Sequence, residues 1–283
     1  MEVIKKNKKN SFIRFAIRRL RQLLALTILV AVIAWLISQL DQSLHRTSFI
    51  TGWSLLGIVG LLMSYNIFKR LTFIPILGSS RAWMQIHIYF GFASVVVFLF
   101  HIGFRIPNGQ FEMLLAGVFL FVSASGFYGL YITRVVPKKL TAVGQEVVFE
   151  TIPGARRSIR DQAKEVAITF ASKAPALADF YLERLATFFE TRRGLVYFAV
   201  PNGRLKRSLI RELDSIDRYI PEDGRQPSEQ LKELITRKDD LDFHQAMQGR
   251  LKIWLFGHIA ATYGLLALAV FHTLLVYSFH GGL

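Results

Sequence analysis

The chain has 283 residues, 52% of them apolar, with 24 Phe, no Cys and a formal charge of +15. A soluble fold of this size has too little interior for so much apolar side chain. The lack of Cys excludes disulfides, cysteine-ligated iron–sulfur clusters, cysteine–zinc sites and thioether-attached haem within the chain. A bilayer protein whose basic residues lie outside the hydrocarbon satisfies both counts.

In chain order, a basic tail over 1–21 leads into apolar stretches at Gln22–Leu40, Phe49–Phe68, Ala82–Phe104 and Glu112–Thr133. A polar insert over 134–250 follows, then a fifth stretch at Leu251–Phe279 and a short tail over 280–283. Each stretch is long enough to cross ~30 Å of hydrocarbon at ~1.5 Å per residue. The first is too long for a secretory signal and no small-residue cleavage site follows it, so it reads as an uncleaved anchor. The predicted fold is an all-α, five-span helical bundle with a mostly helical insert between spans four and five.

Lys and Arg set the direction. The N-terminal tail carries eight, the second connection three (Lys69, Arg70, Arg81), and the segment from Arg134 to Lys252 twenty-two. The first and third connections carry one each, Arg46 and Arg105. The short loops alone put the tail and insert in the cytoplasm and the C-terminus outside, as in an integral protein of a bacterial inner membrane. The +15 is thus a topological signal that also suits contact with anionic lipid, and it is not a nucleic-acid footprint.

In the insert, Ser158–Phe170, Pro175–Glu190 and Leu205–Ile220 show helical periodicity. Gly194–Val200 reads as a short β-like run closed by the turn Pro201–Asn202–Gly203. Ser228 is placed to cap a helix running through Lys252 into the fifth span. No phosphate loop, dinucleotide fingerprint or His–carboxylate metal motif occurs. With 22 basic residues counted through Lys252 and 17 acidic ones, the insert reads as a mixed-charge docking domain for a partner.

The histidines carry the chemistry. His87 and His101 lie in span three, His258 and His272 in span five, and both pairs are fourteen apart. At about 100° per residue, fourteen steps fall about 40° short of four turns, so each pair shares a helix face about 21 Å apart along the axis. Spans three and five run in the same direction, so His87 shares a depth with His258, and His101 with His272. His244 and His258 are also fourteen apart, but His244 precedes the apolar stretch, and the position fourteen before His87 is Phe73, not a His. Ionisable side chains inside a bilayer need a reason, and facing imidazoles at two depths suit two bis-histidine, non-covalently held b haems.

On these four His the chain resembles the dihaem membrane cytochromes b, both the respiratory b/b6 type and the ferric-reductase-like transmembrane group. The resemblance covers the spans. It implies that His87, His101, His258 and His272 are axial iron ligands, and that electrons cross the bilayer from haem to haem. The chain lacks the flavin and nicotinamide domains of ferric reductases, and its insert is foreign to both patterns. The implied function is an electron-transfer subunit linking the quinone pool to a soluble or peripheral redox partner, an iron–sulfur, flavin or cytochrome c protein. The alternative is a haem-handling or proton-coupled transporter using the same His.

Supporting residues are less specific. Gly91, Gly126, Gly129, Gly257 and Gly264 admit a macrocycle close to the backbone or serve helix packing. Arg81, Arg105, Arg250 and Lys252 flank the two depths as propionate partners or interfacial anchors. His45, Glu112 and His280 sit near the outer face, where a quinol would release protons.

Overall fold

A computed structural model describes residues 47–70, 79–143, 147–172, 174–219 and 222–279, with scattered positions between 24 and 39. The first apolar stretch as a whole, His45 and His280 lie outside the described residues. The described residues are helical, without strands. Three long helices come first: α1 (Thr47–Arg70), α2 (Ser80–His101) and α3 (Gln110–Thr141). The shorter α4 (Ile152–Thr169), α5 (Pro175–Phe180), α6 (Ala186–Glu190), α7 (Leu195–Ala199) and α8 (Arg204–Asp217) follow, and α9 (Glu222–Phe279) closes the chain. Among the described residues α1, α2, α3 and α9 are long and apolar enough to cross a membrane. Their outward side chains include Leu114, Phe121, Phe271 and Leu274, each at least half exposed. In water such surface would drive aggregation; in lipid it is the ordinary solvent-facing side.

The chain divides into two compact units, one of Met1–Phe127 with Gly257–Leu283, the other of Tyr128–Phe256. In the first unit, α2 begins at a Ser79 N-cap whose Oγ accepts from the Ala82 N–H at 3.3 Å, satisfying one of the helix's unpaired donors. It ends in a Schellman turn, with Gly103 N–H donating to the Phe100 carbonyl and Phe104 N–H to that of Leu99, both at 3.0 Å. Gly103, at φ +59°, supplies the left-handed residue that this turn needs. The unit's core is Val59, Phe98, Phe119 and Leu265, with the Phe98 and Phe119 rings stacked at 4.3 Å.

In the second unit the amphipathic faces meet as the periodicity predicts. Ile159 and Ala163 of α4, Leu209 and Leu213 of α8, and Leu231 and Ile235 of α9 are buried together with Leu185. Truncating any of these Leu to Ala removes about 2–5 kcal/mol. A π-type turn, Tyr181–Leu185, interrupts the expected Pro175–Glu190 helix between α5 and α6. Two expectations are corrected. Leu195–Ala199 is a short helix and not β-like, because Phe198 packs inward on the backbone of α9 and no strand is present among the described residues to pair with it. Ser228 does not cap α9, which starts six residues earlier at Glu222; Ser228 is fully buried inside the helix. The helix does continue through Lys252 into the apolar stretch. Its 58 residues span roughly 87 Å at ~1.5 Å each, far more than a bilayer core.

Beneath the second unit's mixed charge lies a buried ionic cluster. The Lys238 Nζ is 2.5 Å from Asp242 Oδ2, and Arg193 bonds Asp242 at 3.1 Å and Asp239 at 2.7 Å. Arg156 lies 3.5 Å from Asp242 and donates to Gln245 and to the Thr191 carbonyl. The cluster fastens the segment before α7 to α4 and α9. Burial pulls the Lys238 ammonium below the usual lysine range, and Asp242 opposes that pull.

Candidate functional site

The four intramembrane His fall in the first unit, on α2 and α9. His101 and His272 face one another with ring centroids 6.4 Å apart and planes at 90°. Two imidazoles sharing one metal atom at ~2 Å per bond have centroids about 6.3 Å apart. The observed separation therefore has room for one metal atom between the rings. An apolar cleft surrounds the pair, walled by Leu55, Val59, Phe98, Leu115, Phe119 and Leu265. Such a wall suits the face of a macrocycle. His87 and His258 are within electrostatic range of each other at the other depth.

The neighbouring helices hold three of these rings through one atom, Nδ1. His101 Nδ1–H donates to the Ser48 carbonyl at 3.0 Å, with the Thr51 hydroxyl 3.2 Å away. That hydroxyl is itself turned to Ser48, donating to the same carbonyl at 3.1 Å. His87 Nδ1–H donates to the Leu62 carbonyl at 3.1 Å. A carbonyl can only accept, so both rings carry the proton on Nδ1 and keep Nε2 as a lone pair. Metal-ligating His are commonly fixed in this way by a second hydrogen bond. His258 Nδ1 lies 2.8 Å from the Ser125 hydroxyl of α3, and His272 stacks on Phe111 of α3 at 6.2 Å.

These supports repeat with the His. Ser48 and Leu62 are fourteen residues apart on α1, and Phe111 and Ser125 fourteen apart on α3. Thr51 beside His101 is matched, fourteen on, by Tyr65, whose ring is 5.2 Å from that of His87. The two depths are thus built alike, each with an α1 carbonyl holding the α2 ring and an α3 side chain restraining the α9 ring. Between them lies the apolar layer of Val59, Phe98, Phe119 and Leu265.

The other sequence candidates scatter. Gly126 adjoins the site: a Cβ there would sit 3.8 Å from His258 Cε1. Gly91, Gly257 and Gly264 border open space. Gly129 lies in the second unit and seats the Trp254 indole, a packing contact that any Cβ would disrupt. Arg81 and Arg105 are exposed at opposite ends of α2. Lys252 is engaged in the second unit, 2.7 Å from Glu150 and over the Phe149 ring, and Arg250 reaches the Tyr128 hydroxyl at 3.4 Å. His244 is buried in the second unit beside Asp240. Among the described residues no group of three or more His, Cys, Asp or Glu is placed to hold a metal.

Sequence reasoning missed Ser48, Thr51, Leu62, Tyr65, Phe111 and Ser125, and also Gly52, where a Cβ would press on His101 Cε1 at 3.1 Å. Backbone carbonyls leave no trace in a sequence. Ser125 and Phe111 become visible only once α3 is known to run beside α9. Comparison of the chain with protein-family models, curated proteins and solved structures finds no match.

Proposed function

We propose that the chain is a b-type cytochrome, the electron-transfer subunit of a membrane oxidoreductase, with one haem held by His101 and His272 and a second by His87 and His258. The observation that carries this reading is the repeat of a ring pair and its supports, fourteen residues apart on four helices. When bound, each haem supplies a one-electron ferric–ferrous couple.

The chain's own residues perform the rest. The Ser48 and Leu62 carbonyls keep Nδ1 of His101 and His87 protonated and so leave the Nε2 lone pair as the atom that would bind the metal. Phe111 and Ser125 fix the ring planes of the α9 ligands. The buried cluster of Phe98, Phe119, Val59 and Leu265 supplies an apolar layer between the two His levels, which lie ~21 Å apart along each helix. Arg81 and Arg105, at the two ends of α2, are the available propionate partners. The charge bias of the short loops favours a cytoplasmic second unit. Quinol oxidation or quinone reduction at one face would then be coupled, one electron at a time, to a soluble redox partner docked on that unit.

The test is the full-length protein purified in detergent. The expected result is a red protein with two haems per chain and a reducible b-type visible spectrum. A colourless protein that moves protons with a solute across liposomes would replace this reading with the transporter.

A further inference from the structure

We infer that α7 is a membrane-surface anchor, seating its outer edge at the headgroup–acyl boundary of an anionic leaflet. The inference needs α9 to cross the bilayer but does not depend on haem. Leu195 and Val196 are 87% and 82% exposed, and Val200 just beyond the helix is 67% exposed. Three apolar side chains so fully exposed on and just after one short helix have no packing partner among the described residues. Phe198 of the same helix, roughly opposite Val196, packs on α9: a Cβ at Gly249 would lie 2.8 Å from Phe198 Cε2. Gly249 precedes Leu251, where the apolar stretch begins, by two residues, or ~3 Å along the helix. The apolar edge of α7 is therefore tied to α9 at the level where that helix enters hydrocarbon.

Charge selects the lipid. Residues 191–211 contain six basic residues (Arg192, Arg193, Arg204, Lys206, Arg207, Arg211) and no acidic one, in an insert that otherwise carries 17 acidic residues. Arg192, Arg204 and Arg207 are exposed on either side of the apolar edge. An apolar tip flanked by cations matches the inner part of a leaflet and its phosphates together. The tip is also pre-organised. Arg193 stacks over Tyr197 at 4.9 Å while bonding Asp239 and Asp242, so α7 is anchored at its root by the buried cluster.

Because the chain has no Cys, a single nitroxide can be placed at Val196→Cys in the full-length protein. Gln230→Cys, exposed on α9 far before the apolar stretch, is the aqueous control. In nanodiscs containing phosphatidylglycerol, the label at position 196 should show a several-fold higher ratio of oxygen to water-soluble nickel collisions than the control. Leu195→Asp should return the label to water, as should neutralising Arg192, Arg204 and Arg207 to Gln. A label at position 196 as open to nickel as the control overturns the proposal and leaves the edge to a soluble partner. Equal immersion in purely phosphatidylcholine discs overturns the choice of an anionic leaflet.

Discussion

Replacing Asp242 by Asn should unlatch the segment that leads into α7. The Asp242 carboxylate is 1% exposed and lies within ion-pair distance of Lys238, Arg193 and Arg156. Asn keeps the shape but removes the charge, leaving a fully buried ammonium without its counter-ion. Breaking one partner of a buried pair costs about 3–5 kcal/mol. Asp239 still holds Arg193, and Gln245 and the Thr191 carbonyl still hold Arg156, so the lower end, about 3 kcal/mol, is expected. At about 1.36 kcal/mol per decade this is on the order of a 100-fold shift in local opening. Trypsin reads that opening, since Arg192 and Arg193 lie in the latched segment and cleavage tracks the open population when reclosing is fast. Cleavage there should accelerate about 100-fold in Asp242→Asn. The double variant Lys238→Met, Asp242→Leu should be cleaved more slowly than Asp242→Asn but faster than wild type, because it removes the buried ammonium with its counter-ion while Arg193 and Arg156 still lose that carboxylate. A change of less than about threefold in Asp242→Asn, or about 0.7 kcal/mol, would show that the cluster does not hold the segment.

Four further outcomes are expected. Burial holds the His244 imidazole below its ordinary 6.5 against the pull of Asp240; the unfolded chain then binds a proton first as pH falls, so stability of the second unit should decline below about pH 6.5, and His244→Phe should flatten that slope in urea titrations at pH 7.5 and 5.5. Gly129→Leu drives a side chain into the Trp254 indole and should lower stability by about 1–3 kcal/mol, visible as a shifted unfolding midpoint and altered Trp emission. Ser125→Ala removes the hydroxyl beside His258 and should weaken retention of the inner haem by about tenfold on dilution, leaving the outer one unchanged. A cysteine at Asn108, in the exposed connection between α2 and α3, should label from outside intact cells and one at Gln230 should not; the reverse would invert the proposed orientation.

Apolar length and helical period made α1, α2, α3, α4, α8 and the apolar part of α9 legible in the sequence, because each has either a lipid-length run or one buried face. The continuity of α9 through Lys252 was legible for the same reason: no Gly–Pro break separates its polar and apolar parts. Leu195–Ala199 was not. Five residues are too few for period 2 and period 3.6 to differ, and the choice was made by Phe198 finding the bare backbone at Gly249. Ser228 misled because a hydroxyl before an apolar run looks the same capping a helix as buried within one. The ionic cluster was hidden in a near-balanced charge count that says nothing about which pairs are buried. At the candidate site the facing of His101 and His272 could be read from spacing, but what orients the rings could not. Two of the supports are main-chain carbonyls, and a third, Ser125, lies 133 residues from the His it meets.

The measurement closest to the central claim is haem content and redox-resolved spectra of the full-length protein with each of His87, His101, His258 and His272 replaced singly by Leu. The wild type should carry two haems per chain. His101→Leu and His272→Leu should lose or alter the same one, and His87→Leu and His258→Leu the other. A wild type without haem, or a single haem silenced by both His101→Leu and His258→Leu, would contradict the account.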